Sequence, residues 1–348
     1  MGKNISGMFQ NKRSPDNVLF PPRLKNIHGE QRKMGLEIEF SGLPIDRITS
    51  LVRMCYGGET ESESDYKKYV RNTRLGDFTI GLDWVLLHKM TKTDYVQNFG
   101  KGIGIEIDPR WQKTAERMLA SSVEPFVPYE VAFPPVPFDQ IADLEQLRIA
   151  IYRMRGKGTS ASPFHAFGLH LNPEIPADDP QTILRYFQAF LLLYEWLRLS
   201  HEINVMREIT PFIDPFPAPY IDIVLDPGYQ PDLPRLIDDY LEYNPTRNRP
   251  LDMLPLFAWL DKDRVLQLLA DELIHPRPAF HYRLPNSSID DPEWSFTREW
   301  NVWVEVERLA ESEMKLNEMQ ELYLKRKRHP IKTWTEKWVR EMRTLFLE

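Results

Sequence analysis

Gly35-Leu36-Glu37-Ile38-Glu39-Phe40 alternates strictly between apolar and polar positions after its opening glycine. As a β-strand it sends Leu36, Ile38 and Phe40 to one face and both carboxylates to the other. Two acids spaced this way stand roughly 7 Å apart and repel one another unless a cation lies between them. A single pair of this kind is usually an ordinary solvent-facing strand, but here the pattern repeats. Phe78, Ile80 and Leu82 alternate with Asp77, Thr79, Gly81 and Asp83, and Tyr129 and Val131 flank Glu130. Phe167, Leu169 and Leu171 alternate with Gly168, His170 and Asn172, and Phe280, Tyr282 and Leu284 with His281 and Arg283. Five short runs thus share an apolar back and a front of acids, histidines and an arginine. Paired into one sheet, their fronts form a polar trough, which is where the chemistry is expected.

The chain has 348 residues, enough for two domains or one large α+β unit. Its 42% hydrophobic and 27% charged residues are those of a soluble globular protein. A net charge of -7 argues against a general nucleic-acid partner. The basic runs Lys325-Arg326-Lys327-Arg328 and Lys67, Lys68, Arg71, Arg74 read as solvated helix faces. The single cysteine, Cys55, excludes an internal disulfide and a thiolate-rich metal site, and points to a reducing, cytoplasmic setting. It shares an apolar helix stripe with Ile48, Leu51 and Val52, so packing is its expected role. Residues 1–30 are polar, lack an apolar run of signal-peptide length and read as a loose arm. Met1-Gly2-Lys3-Asn4-Ile5-Ser6 meets the myristoylation pattern, which is too permissive to carry weight. The apolar run Leu191 to Tyr194 lies in a helix that carries Arg185, Gln188, Glu195 and Arg198 on one side, so no membrane partner is expected.

Along the chain, Ile45 to Tyr56 reads as a helix ended by Gly57-Gly58. Ile103, Ile105 and Ile107 offer a sixth strand, and Trp111 to Ala120 a helix. Ile141 to Arg155 reads as an amphipathic helix. The loop Gly156-Lys157-Gly158-Thr159-Ser160 lacks P-loop spacing and is taken as a connection. Residues 211–255 hold ten prolines, which forbids long regular elements. With the helix before them and Arg264 to Leu273 after, they read as a helical, proline-rich insertion, 174–275, between two strands of a sheet domain spanning 31–290. Trp294 to Lys327 reads as one long helix broken by Pro330. The C-terminal helices, 291–348, are expected to cover the apolar back of the same sheet.

The motifs resemble the amidoligase family of the carboxylate-amine ligase superfamily, relatives of glutamine synthetase and glutamate-cysteine ligase. Gly35 to Phe40 is similar to its opening strand and Tyr129-Glu130-Val131, followed by Pro134-Pro135, to its acidic strand. Gly168-Leu169-His170-Leu171-Asn172 is similar to its histidine strand, and Phe280-His281-Tyr282-Arg283-Leu284-Pro285 to its late arginine strand. The resemblance spans roughly residues 33 to 285. It implies an α+β fold of glutamine synthetase type, with an antiparallel sheet whose concave polar face holds the active site. Two departures stand out: relatives commonly carry a glutamate where this chain has His281, and often a second histidine where it has Asn172. Histidine binds metals through a neutral nitrogen and brings no negative charge, so the number of magnesium ions stays open.

The activity implied is formation of an amide from a small-molecule or peptide carboxylate and an amine, driven by ATP with Mg2+ through an acyl phosphate. Such a site gathers several anionic groups and requires metal and arginine among them. Glu37, Glu39 and Glu130 are the expected metal ligands, with His170 as a nitrogen ligand. His170, His281 and Arg283 are the expected catalytic groups. Arg283 acts as clamp on the γ-phosphoryl group, and His281 is favoured as a phosphate donor over a ligand role. Arg247 and Arg249 are offered for nucleotide or substrate carboxylate, and Asp77 and Asp83 for orienting the amine. A homo-oligomer is compatible with this scheme. Two rivals use the same residues: a metal-dependent phosphoester hydrolase, and a non-catalytic nucleotide- and metal-binding protein of the same fold.

Overall fold

A computed structural model of the chain describes residues 17–82, 129–159, 167–203, 213–269, 274–327, 338–339 and 344. The sixth strand proposed at 103–107, the helix at 111–120 and the final helix beyond Pro330 lie largely or wholly outside the described residues. So does Asp83.

Among the described residues the architecture is mixed α and β, built on one nine-stranded antiparallel sheet. Its first strand, β1 (Lys33–Phe40), lies near the middle. After α1 (Ile45–Tyr56) come β2 (Glu59–Ser64), β3 (Lys67–Thr73), β4 (Gly76–Leu82), β5 (Tyr129–Ala132), β6 (Val136–Pro137) and α2 (Ile141–Arg153). Next are β7 (Leu169–Pro173), α3 (Pro180–Ser200), α4 (Ala218–Val224), α5 (Leu233–Tyr243) and β8 (Leu251–Asp252). The chain continues through α6 (Leu254–Leu260), α7 (Lys262–Leu268), β9 (His281–Tyr282), α8 (Phe296–Ala310) and α9 (Glu313–Lys327). The spatial order is β2-β3-β4-β5-β1-β7-β9-β8, with β6 extending the β5 side of β1.

Alternation fixes the two faces. Met34, Leu36, Ile38 and Phe40 of β1, Phe78 and Ile80 of β4, Val131 of β5, Leu169 and Leu171 of β7 and Tyr282 of β9 are all buried on the back. Register carries this across strands: Ile38 pairs with both Val131 and Leu169, and Leu171 with Tyr282. Helices cover this face with ring-to-ring contacts. Tyr56 of α1 stacks on Phe78, Tyr186 of α3 on Phe280, and Trp303 of α8 lies 5.0 Å from the Tyr282 ring centre.

Several expectations change. The segment around Lys67, Lys68 and Arg71 is a strand rather than a solvated helix face, and β2 beside it was not anticipated. Every residue of β2 is exposed, so no apolar alternation announces it, and it is held by pairing with β3 and by Arg71–Glu61. The helix expected from Trp294 to Lys327 breaks between α8 and α9 at Glu311–Ser312. Past Ala310 the next inward apolar residue is Leu316, while Met314 is exposed. Residues 17–30, assigned to a loose arm, are anchored: Leu19 N–H donates to Asn301, and the Trp300 indole donates to the Leu19 carbonyl. The insertion read as helical also contains a strand, β8, which pairs with β9 at one end of the strand order among the described residues. In the glycine loop a Cβ on Gly156 would lie 2.4 Å from Ile151, and one on Gly158 2.4 Å from Asp290, so these glycines serve close packing. Cys55 is partly buried, and burial pushes its thiol pKa up, as fits a packing role. No helix among the described residues is long and apolar enough to cross a membrane.

Candidate active site

Because the back-facing residues of β1, β5, β7 and β9 are apolar, the polar residues between them are forced onto the other face. Pairing then sets them side by side: Glu37 opposite His170, Glu39 opposite Glu130, and His281 opposite Asp252. The His170 and His281 rings meet edge to face at 5.2 Å between centres. One ligand atom from each of Glu37, His170 and His281 falls within 4.8 Å of the others, and the same holds for Glu39, Glu130 and His170.

The hydrogen bonds order this cluster. His170 Nδ1 lies 3.2 Å from Glu37 Oε2, and Asn172 Nδ2 donates to Glu37 Oε1 at 3.1 Å. The Asn172 amide oxygen accepts from Arg277 at 2.8 Å, which leaves that guanidinium 3.7 Å from Glu37. Glu39 is buried, accepts from the Gly168 backbone N–H at 2.7 Å and lies 3.6 Å from His170 Nε2. His281 Nδ1 faces Asp252 Oδ2 at 3.3 Å, and Asp252 Oδ1 accepts from the Leu254 N–H.

Electrostatics divides the face. Burial alone would raise the Glu37 carboxyl, but the His170 hydrogen bond and then the charges of His281, Arg277 and His170 outweigh it and hold it well below the usual carboxylate range. Burial first, then Arg277, His170 and Arg283, drive His281 well below the ordinary histidine range despite Glu37. Burial thus disfavours a charge on His281, while the groups around Glu37 favour its ionised form. Burial pushes Asp252 up to about 6 against the pull of Arg283, the Leu254 N–H, Arg247 and Arg277. Three carboxylates, Glu37, Glu39 and Glu130, thus occupy the β5–β1 side, while arginines 247, 277 and 283 gather around the buried Asp252 of β8.

Of the residues singled out from sequence, the structure brings together Glu37, Glu39, Glu130, His170 and His281, with Arg283 and Arg247 on the arginine side. Arg283 also donates to the Arg247 carbonyl. Arg249 is placed differently. It is buried, donates to the carbonyls of Asp214, Pro215 and Tyr243 and lies over the Phe216 ring, so it pins the proline-rich segment. Asp77 sits at the far end of β4, where it accepts from the Asn72 N–H and pairs with Arg71. Gly81, which pairs with Glu130, is four residues away, about 13 Å along a strand. Two members were missed. Asp252 lies on a two-residue strand too short to show alternation, and Arg277 stands between Pro276 and Pro278 with no periodic pattern around it.

A family model described as "Putative amidoligase enzyme" matches residues 30–305, a span that includes every residue of this cluster. No curated protein and no solved structure matches the chain.

Proposed function

Because this chain belongs to the amidoligase family, we propose that it is an ATP-dependent ligase that joins a carboxylate to an amine on the polar face of its sheet. The observation that carries this reading is the division of that face. The acids of β1 and β5 with His170 of β7 suit a divalent cation, and the arginines beside β8 and β9 suit the transferring phosphoryl group. We also read the antiparallel sheet with its helix-covered back as glutamine synthetase-like.

The donor set fits a metal: Glu39, Glu130 and His170 offer two carboxylate oxygens and one nitrogen close enough for one ion. These residues would hold Mg2+, which supplies neutralisation of phosphate charge when bound. The chain's own groups do the rest. Arg283, with Arg277 and Arg247 near it, stabilises negative charge on the phosphoryl oxygens, and the Gly168–Glu39 hydrogen bond fixes the carboxylate's orientation. In the reaction a substrate carboxylate oxygen bonds to the γ-phosphorus and ADP leaves. The amine nitrogen then attacks the acyl carbon, phosphate departs with one former carboxylate oxygen, and the amine proton passes to solvent or a base.

The test is acceptor dependence. With Mg2+ present, ADP release should require both an acid and an amine, screened as pools of amino acids, dicarboxylates and polyamines. Phosphate release from simple phosphoesters without an amine would instead favour a hydrolase.

A further inference from the structure

The front face carries two ligand sets that share His170 and differ in their donor atoms. One holds two carboxylates, Glu39 and Glu130. The other, Glu37–His170–His281, holds a single carboxylate and two imidazoles. Magnesium prefers oxygen donors and is attracted chiefly by charge, whereas imidazole nitrogen suits transition-type divalent ions.

His281 is already turned for ligation. Asp252, fully buried, takes its Nδ1 side, so Nδ1–H donates and the lone pair remains on Nε2. Among the described residues that Nε2 is buried without a hydrogen-bond partner, and it faces Glu37 Oε2 at 3.8 Å. A bare nitrogen opposite a carboxylate oxygen is repulsive unless a cation or a proton joins them. A proton would place an imidazolium in a buried position alongside Arg277 and Arg283. Arg277 also competes for Glu37 at 3.7 Å, which weakens the charge attraction that Mg2+ depends on. We propose that the Glu37–His170–His281 set binds a transition-type divalent ion of the cobalt or zinc class in preference to Mg2+, with Asp252 as the positioning residue for His281. This rests on the reading of the face as a metal-dependent ligase site and gives that site a second, chemically distinct ion. A neutral imidazole offers one lone pair, so when His170 Nδ1 holds this ion its Nε2–H donates toward Glu39, and Mg2+ keeps the oxygens of Glu39 and Glu130 alone.

The experiment titrates Co2+ into the metal-stripped full chain without nucleotide and follows its visible d–d absorption under Mg2+ competition. One equivalent should bind and persist in about a hundredfold excess of Mg2+. His281→Glu should let Mg2+ displace it readily. Asp252→Asn should weaken Co2+ binding about tenfold or more with the far-ultraviolet circular dichroism unchanged. Displacement from the wild type by stoichiometric Mg2+, no bound cobalt, or unaltered binding in a folded His281→Glu variant would overturn the proposal. Should that variant not fold, wild-type competition and Asp252→Asn decide. Because no nucleotide is present, a negative result leaves the ligase reading intact, and failure of the ligase reading appears only in turnover.

Discussion

Glu39 and Arg249 are both buried and polar, yet they serve different ends, and their variants separate site from scaffold. Gln in place of Glu39 keeps an oxygen to accept from Gly168 and removes a carboxylate set opposite Glu130. Calorimetry of Glu39→Gln should show metal-free stability within about 1 kcal/mol of wild type, with the stabilisation that magnesium-ATP gives the wild type lost through linkage. Normal nucleotide stabilisation in that variant excludes Glu39 as a ligand. Arg249→Met should do the reverse. It strips donors from the carbonyls of Asp214, Pro215 and Tyr243 and should cost about 2 kcal/mol or more. The folded fraction should keep its nucleotide affinity, and a selective loss of that affinity would restore Arg249 to the site. From sequence the two could not be told apart. Glu39 announced its face by alternation, whereas an arginine in a proline-rich segment carries no sign of whether it points to substrate or to its own backbone.

At the scale of elements, legibility followed burial on one face. β1, β4, β5 and β7 were readable because a buried back and a polar front impose a period of two. β2 has no buried face, and β8 is only two residues long, so neither leaves that signature, and Asp252 was lost with β8. Among the helices, the end of α1 was readable from Gly57-Gly58, whereas the cap that starts α3 was not read. α3 opens on Asp179, whose side chain accepts from the Thr182 N–H at 2.8 Å, with Pro180 following. Partial burial opposes ionisation of Asp179, but the backbone and side-chain hydrogen bonds from Thr182 outweigh it and lower its pKa. A lowered folded-state pKa contributes stability above the unfolded value near 4, and that contribution is lost as pH falls through the folded one. Asp179→Ala should therefore cost about 1 kcal/mol at pH 7 and progressively less below pH 4. Chemical denaturation at both pH values checks this, and a cost that does not shrink in acid would remove the charged cap from the account.

For the whole molecule, the question is whether the C-terminal helices belong to the sheet unit. Arg32, just before β1, forms a fully buried bidentate pair with Glu307 of α8, at 2.7 and 2.9 Å. Trp303 donates to the same carboxylate at 2.9 Å, and the Tyr186 hydroxyl reaches it at 3.4 Å. Helices α3 and α8 are thus tied to the start of the central strand. Arg32→Met leaves Glu307 buried and uncompensated, at a cost of about 3–5 kcal/mol. Adding Glu307→Leu should recover much of that loss. Differential scanning calorimetry should give one transition in wild type and double variant alike, and separate transitions would divide the helices from the sheet. Sequence showed the helix that carries Glu307 but not this pair, because Arg32 and Glu307 are far apart in the chain and only the fold brings them together.

The central claim, that phosphoryl transfer to a carboxylate takes place on the front of the sheet, is tested most directly by isotope transfer. Carboxylate substrates labelled with oxygen-18 are incubated with enzyme, ATP, Mg2+ and amine, and the orthophosphate released is analysed by mass spectrometry. The account predicts one labelled oxygen in each phosphate formed, with transfer abolished in Glu39→Gln. Phosphate whose new oxygen comes from water alone, released at the same rate with or without amine, would contradict it.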